Sequence, residues 1–228
     1  MYLTKRYSRL ENEKIFVMIG GWGVPKWIFK FVKNNFPKDW GYLEYHYDKH
    51  KICSKPSEIK SKFLNIIEVM KSDLINLNKI RERKFYIYTV SLGNIFGLIL
   101  ADYIKVEKMA MVVPICNLAR IFWKRNKKDT IGVKAYFNKI EPDLAKLKEN
   151  WKELSLKNWF TNNSTKTKFL LRLSKDDIYL SSDDKINILG VLKRKKVNFI
   201  YEQKFLSHKL TGMFDAIFPG RIIKFFME

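Results

Sequence analysis

Cysteine is scarce in this chain of 228 residues, which contains only Cys53 and Cys116. Neither belongs to a Cys-x-x-Cys pair or to a cluster with histidine, which argues against a disulfide framework and against a structural zinc site. Internal repeats and linkers rich in proline, glycine or serine are also missing. Apolar residues make up 46% of the chain and charged residues 29%, a balance that excludes a disordered or collagen-like protein. At this length we expect one large domain or two small ones.

A long apolar segment is missing as well. Residues 1–13 become charged where a signal peptide would need an apolar stretch, so we expect no export by that route. The longest uncharged run, 85–101, is just short of a membrane span and has polar and glycine residues in its middle. That pattern favours a buried strand followed by a buried helix. The prediction is a cytoplasmic protein without a transmembrane segment, since a reducing compartment is the default for so few cysteines.

Acidic residues are few relative to basic ones. The chain has 44 lysine and arginine residues and 23 aspartate and glutamate residues, so the formal net charge is +21. Such an excess of positive charge is typical of proteins that bind an anionic partner. The candidate partners are nucleic acid, a membrane surface and an acidic protein. A composition rich in lysine, asparagine and isoleucine gives the same excess on surfaces that bind nothing. Both interpretations stay open at this point.

Strand-like and helix-like patterns alternate along the chain. Segment 15–19 is five apolar residues in a row, which is typical of a strand covered on both faces. Segment 27–36 has the apolar spacing of an amphipathic helix. Further strands are predicted at 42–47, 85–90, 108–114, 169–173 and 197–201, and further helices at 55–77, 94–104, 182–193 and 210–218. This alternation predicts an α/β protein with a mostly parallel sheet of about six or seven strands, flanked by helices.

One segment interrupts the alternation. Residues 117–163 are basic and aromatic, with helix-like patches and no obvious strand. A long insertion after a strand end is a usual place for a lid over an active site. We therefore expect a core formed by 1–116 and 164–228 and a helical lid formed by 117–163.

The clearest chemical signal is a serine between a strand-like and a helix-like run, in the sequence Thr89-Val90-Ser91-Leu92-Gly93. This is the pattern of a nucleophile elbow, a tight turn that presents a serine hydroxyl at the end of a strand. Small residues are needed two positions before and two after the serine, because larger side chains would collide with the neighbouring strand and helix. Gly93 meets this need, whereas Thr89 is larger than the usual glycine. The alternative is a strand-to-helix turn without chemistry.

Residues that could activate this serine lie further along the chain. A serine hydroxyl is a poor nucleophile until a base accepts its proton. The histidines are His46, His50 and His208, and the last of these lies shortly after the last predicted strand. Asp176 and Asp177 stand at the carboxyl end of the strand before it, where an acid can orient an imidazole. Aspartates at a strand end are also ordinary turn residues.

A glycine-rich loop, Gly20-Gly21-Trp22-Gly23, follows the first predicted strand. Its spacing fits neither a dinucleotide fingerprint nor a P-loop. With this loop, the elbow and the acid and histidine candidates at strand ends, the chain resembles the α/β-hydrolase superfamily of serine hydrolases from about residue 15 to residue 226, outside the lid. The resemblance implies that the backbone amides of Trp22 and Leu92 form an oxyanion hole.

The same resemblance implies which side chains complete the site. The order along the chain in this superfamily is serine, acid, histidine, and His208 is the histidine that follows Ser91. The family pattern at the acid is aspartate, any residue and two apolar residues, which Asp176 matches better, with Asp177 in reserve. The expected triad is thus Ser91, His208 and Asp176, acting on an ester or thioester. No metal or organic cofactor is implied.

Within the superfamily, Gly21-Trp22-Gly23 with Pro25 close behind is similar to the loop in esterases of biotin synthesis, which cleave the methyl ester of pimeloyl-acyl-carrier protein. The resemblance implies a small acyl ester or a substrate linked to acyl-carrier protein. Acyl-carrier proteins are acidic, so basic residues around the pocket mouth would suit such a partner. The first candidates for that basic surface are Lys124, Arg125, Lys127 and Lys128.

Two alternatives belong to other classes of function. The first is a basic, non-catalytic α/β protein that binds nucleic acid or an anionic membrane, since segment 122–128 mixes aromatic and basic residues. Against nucleic acid, no known binding signature is present and the basic residues are spread along the whole chain. The second is a hydrolase fold that has lost its activity, because a fold alone does not prove a reaction.

Overall fold

The structure is a computed structural model of the chain that describes residues 3–21, 24–47, 56–124, 143–162 and 165–228. Its strands are β1 (Leu3–Ser8), β2 (Lys14–Ile19), β3 (Gly41–Tyr47), β4 (Lys84–Val90), β5 (Val106–Val112), β6 (Lys168–Ser174) and β7 (Phe199–Lys204). Its helices are α1 (Lys26–Asn34), α2 (Pro56–Ile80), α3 (Gly93–Leu100), α4 (Leu118–Lys124), α5 (Leu144–Asn150), α6 (Leu156–Asn162), α7 (Ser182–Arg194), α8 (His208–Ile217) and α9 (Gly220–Met227).

The seven strands form one sheet in the order β1-β3-β2-β4-β5-β6-β7. Strands β2 to β7 are parallel, and β1 pairs antiparallel with β3 at the edge. The predicted α/β class and the mostly parallel sheet are therefore confirmed. Strand β1 is absent from the prediction because it is an edge strand, and its four central residues are exposed, so it has no continuous apolar run.

The two faces of the sheet are buried against different helices. Along β2, Ile15, Val17 and Ile19 face a core that includes residues of α2, α3 and α7, whereas Phe16 and Met18 face a core with α1 and α9. Successive side chains of a strand point to opposite faces, so burial on both sides requires the unbroken apolar run seen in the sequence.

The described helices of segment 117–163 are part of the larger core. Phe122, Trp151, Trp159 and Phe160 are all buried there. The indole Nε1 of Trp159 also donates a hydrogen bond of 2.8 Å to Asp102 after α3. Residues 125–142, with three of the four basic candidates, lie outside the described residues, as does the side chain of the fourth, Lys124. The division into a core and a lid stays a prediction.

None of the helices in the described parts of the chain is long and apolar enough to cross a membrane.

Candidate active site

Ser91 occupies the turn between β4 and α3 in a strained backbone conformation. Its φ angle is 54°, in the left-handed region that side chains other than glycine rarely adopt. The Ser91 N–H donates a hydrogen bond of 2.9 Å to the carbonyl of Val112 at the end of β5. Strain of this kind persists only where the surroundings fix it, and it often marks a functional site. The geometry is that of the elbow expected from the sequence.

Two glycines let the elbow lie directly against the loop after β2. A Cβ atom on Gly93 would fall within clashing distance of the carbonyl oxygens of Ile19 and Gly20. A Cβ atom on Gly21 would lie 2.6 Å from the Cβ of Ser91. The glycine-rich loop and the serine therefore meet at one point, at the carboxyl edge of the sheet.

Thr89, the position that departs from the usual elbow pattern, is accommodated by a buried polar network. Its hydroxyl donates a 2.7 Å hydrogen bond to the side-chain oxygen of Asn94. The amide nitrogen of Asn94 donates to the carbonyl oxygens of Ser91, at 2.7 Å, and of Val112, at 3.0 Å. The Thr89 methyl group fits because α3 has Gly97 there, where an added Cβ would lie 2.7 Å from it. Sequence reasoning missed Asn94, although a polar residue in an uncharged run was a signal.

His208 connects the serine to a buried carboxylate. Its Nε2 atom lies 3.0 Å from the Ser91 hydroxyl oxygen. Its Nδ1 atom lies 2.9 Å from each carboxylate oxygen of Asp177. The Asp177 side chain is fully buried and also accepts a 2.8 Å hydrogen bond from the N–H of Tyr179.

The structure thus places the reserve aspartate, Asp177, against His208, and not the preferred Asp176. Asp176 is exposed and lies on the wall of the cavity in front of Ser91. The chain turns directly after β6, and adjacent side chains in the turn point in different directions. The sequence pattern used to choose the acid depends only on position along the chain, so it does not distinguish Asp177 from its neighbour Asp176.

A buried ion pair ties the helix that carries His208 to the strand that leads to Asp177. His208 is the first residue of α8, and Ser207 is its N-cap. Two turns later, Asp215 binds the guanidinium of Arg172 on β6 through two hydrogen bonds of 2.9 and 2.6 Å. Both side chains are almost completely buried, so the pair is shielded from solvent.

A cavity of about 730 Å³ opens in front of Ser91 and His208. Its walls are mostly apolar, and this combination of apolar walls and a few convergent polar groups is typical of small-molecule sites. The apolar lining includes Val24, Trp27, Ile28, Val113, Ile115, Leu118, Ile121, Ile178 and Met213, and the polar lining includes Asp176, Ser207 and Lys209.

The expected oxyanion donors are described only in part. Leu92 lies at the start of α3 and lines the cavity. Trp22 lies outside the described residues. The loop that carries it begins at Gly20, whose carbonyl accepts a 2.8 Å hydrogen bond from the Tyr47 hydroxyl, so the start of the loop is fixed to β3.

Other reactive side chains lie outside this constellation. His46 is buried on β3, where its Nε2 lies 3.3 Å from Glu44, and His50 lies outside the described residues. Cys116 is also buried, and burial, with Asp184 beside it, raises the pKa of its thiol to about 12. It is therefore a neutral thiol at pH 7, which is not the nucleophilic form.

No protein-family model matches the chain, and no curated protein matches it either. Solved structures do match. The enol-lactonase from Burkholderia xenovorans LB400 has a TM-score of 0.60 and 15% identity, over 99% of this chain and 96% of that one. The Pyrococcus furiosus esterase Pf2001 gives 0.63 and 14%, over 97% and 82%. The Paleococcus ferrophilus monoacylglycerol lipase gives 0.57 and 13%, over 98% and 97%.

At sequence identities this low, structural similarity shows a shared fold and nothing more. The similarity extends over nearly the whole length of two of these proteins. Together with the sheet order and the elbow after β4, they show that the chain has the α/β-hydrolase fold expected from the sequence.

Proposed function

We propose that the protein is a serine hydrolase that cleaves the ester or thioester of a predominantly apolar acyl group. The observation that carries the proposal is the continuous hydrogen-bonded connection Ser91–His208–Asp177 at the mouth of an apolar cavity. Its three members come from three separate places in the chain, and all lie just after the carboxyl ends of parallel strands.

In the proposed reaction, the Ser91 hydroxyl oxygen attacks the acyl carbonyl carbon while Nε2 of His208 accepts the hydroxyl proton. The resulting oxyanion accepts a hydrogen bond from the backbone N–H of Leu92 and from the loop after β2. His208 then donates its proton to the leaving alcohol or thiol, which leaves an acyl group on Ser91. Water attacks this acyl-enzyme with His208 again as the base, and the free carboxylic acid and Ser91 hydroxyl are restored.

Asp177 has a positioning and electrostatic role in this scheme. Its carboxylate accepts a hydrogen bond from Nδ1–H of His208, which leaves Nε2 without a proton and able to accept one from Ser91. Because the Asp177 side chain is fully buried, its charge acts through little intervening water on the imidazolium that forms during the reaction.

The narrower substrate that we propose is the methyl ester of pimeloyl-acyl-carrier protein. It is supported by the resemblance of the loop that contains Gly21 and Pro25 to the biotin-synthesis esterases and by the net charge of +21, which suits an acidic carrier. The apolar cavity suits the methylene chain of such an acyl group.

Labelling with a fluorophosphonate probe tests the general proposal, since the probe reacts with an activated serine. We expect the folded wild-type protein to be labelled and Ser91→Ala to remain unlabelled. Equal labelling of both proteins, or none of the wild type, would refute the assignment. For the narrower proposal, release of methanol from pimeloyl-acyl-carrier protein methyl ester is compared with release from free dimethyl pimelate. Equal kcat/KM for the two would exclude recognition of the carrier.

A further inference from the structure

Helix α8 exposes several apolar side chains to solvent and buries the carboxylate of Asp215. Leu210, Phe214 and Phe218 follow one another at intervals of four residues and are all exposed. The opposite face, with Thr211 and Asp215, is buried. A surface helix ordinarily shows the reverse pattern, with apolar residues inside and charged residues outside.

Four exposed apolar side chains lie on α8 or next to its ends, and we call them the α8 ridge: Phe205, Leu210, Phe214 and Phe218. Phe205 is 79% exposed and Phe218 is 63% exposed. The ring centroids of Phe214 and Phe218 lie 5.0 Å apart. Ile178, which is also exposed, lines the mouth of the cavity. Exposed apolar strips of this kind mark interaction sites.

Lysines lie directly against the ridge. The Lys175 ammonium is 4.9 Å from the ring centroid of Phe205, and the Lys204 ammonium is 5.2 Å from that of Phe214. Lys209, on α8 itself, is exposed at the rim of the cavity. The ridge therefore combines apolar rings and positive charge on one surface.

Three acidic side chains near the ridge are paired with basic groups of the protein, whereas Asp176, next to Lys175 in the chain, is exposed at the cavity wall. Asp215 and Glu202 both bind Arg172, and Glu202 also binds Arg221. Asp177 is bound to His208. Lys175, Lys204 and Lys209 outnumber the exposed Asp176, so the surface keeps a net positive charge that complements an anionic one.

We infer that the α8 ridge docks the protein on an anionic lipid surface, with its phenylalanine and leucine side chains inserted and its lysines against the lipid phosphates. Projecting apolar side chains flanked by lysines are the pattern of elements that lie in the membrane interface. Lysine stems extend along the apolar layer while their ammonium groups reach the headgroups.

Sedimentation with lipid vesicles tests this inference on the full-length Ser91→Ala protein. Binding does not require hydrolysis, so a failure here is distinct from a failure of the proposed reaction. We expect the protein to sediment with vesicles of phosphatidylglycerol and phosphatidylcholine and to remain in solution with phosphatidylcholine alone. Raising the salt concentration should weaken the binding, because the lysine contacts are screened.

Two variants locate the binding surface. Lys175→Glu/Lys204→Glu should lower the vesicle partition coefficient on the order of tenfold or more, since each lysine near an anionic surface contributes severalfold. Phe205→Ser should lower it roughly tenfold, because a large apolar group no longer inserts. Lys175 and Phe205 are exposed and Lys204 is half-buried at the end of β7, so circular dichroism should show unchanged folds.

The control variants carry the same types of change at the end of the sheet where the parallel strands begin, away from the α8 ridge. Lys193→Glu/Lys195→Glu, at the end of α7, changes the net charge equally, and Ile80→Ser removes an apolar side chain that is as exposed as Phe205. Both should bind vesicles as the wild type does. The inference is overturned if the wild type does not bind anionic vesicles. That result would instead be expected if the α8 ridge binds an acidic protein. Equal losses in ridge and control variants would likewise overturn it, because they indicate general charge attraction.

Discussion

At the scale of single residues, the candidate site consists of a serine, a histidine and a carboxylate that are far apart in the sequence. Ser91 and His208 are determined by their type and their position after strand ends, since no other histidine follows the elbow. Asp176 and Asp177 are adjacent and chemically identical, and only the direction of the turn after β6 separates them. The role of Asn94 cannot be predicted from the sequence either, because its amide donates to two backbone carbonyls that only the fold brings together.

If Asp177 is the acid of the proposed triad, variants of Asp177 and of its neighbour Asp176 should differ in catalytic activity. We expect Asp177→Ala to lower kcat on a p-nitrophenyl ester on the order of 10³–10⁴-fold, because His208 loses the partner that sets its tautomer. Asp176→Ala should change kcat little and act mainly on KM, since Asp176 lines the cavity wall. If Asp176→Ala loses kcat and Asp177→Ala retains it, the acid is Asp176.

The Thr89 hydroxyl should contribute measurably to stability. Thr89→Val keeps the shape of the side chain but leaves the buried Asn94 oxygen without its 2.7 Å donor. We expect the free energy of unfolding in urea to fall by about 1–3 kcal/mol, the cost of a buried polar group that loses its partner. Thr89→Ser is the control: it retains the hydroxyl and loses only the methyl group against Gly97, at a cost of roughly 1 kcal/mol. A Thr89→Val protein as stable as the wild type would contradict the network.

At the scale of elements, burial on both faces decides what can be predicted. Strands β2 and β4 to β6 lie inside the sheet, so their apolar runs are long and their predicted positions agree closely with the structure. Strand β1 and helix α9 are not predicted. The first is an exposed edge strand. The second has only eight residues, of which Ile222, Phe225 and Phe226 are buried, too few for a clear helical pattern.

The position of α8 depends on its buried ion pair with β6. Asp215→Ala would leave the guanidinium of Arg172 buried with Glu202 as its remaining carboxylate partner among the described residues. We expect the free energy of unfolding to fall by about 3–5 kcal/mol, because a buried guanidinium that loses its buried partner is costly and the partly exposed Glu202 compensates it only in part. Arg172→Met/Asp215→Leu removes both charges and should regain much of that loss in the same urea experiment. A double variant less stable than Asp215→Ala would contradict this explanation. It would show that the loss of stability comes from the missing ion pair and not from the buried charge left behind.

At the scale of the whole molecule, the excess of positive charge is a property of the chain and not of one site. The 44 basic side chains outnumber the 23 acidic ones by 44 − 23 = 21, so many basic side chains have no carboxylate available to them. The proposed chemistry lies at one edge of the sheet, at a serine and a histidine, while basic residues such as Lys193 and Lys195 lie at the other. The charge therefore bears on partners and on stability more than on the reaction.

Self-repulsion among these charges should make the folded protein more stable in salt. Repulsion at +21 opposes the compact state, and the screening length falls from about 30 Å at 0.01 M to about 10 Å at 0.1 M salt. We expect Tm, measured by calorimetry, to rise over this range of sodium chloride. Lys193→Glu/Lys195→Glu lowers the net charge by four, from 21 to 21 − 4 = 17, so its Tm should rise less steeply with salt. A Tm that falls with salt would contradict this, because screening would then be weakening ion pairs such as Lys5–Asp73 more than it relieves the repulsion.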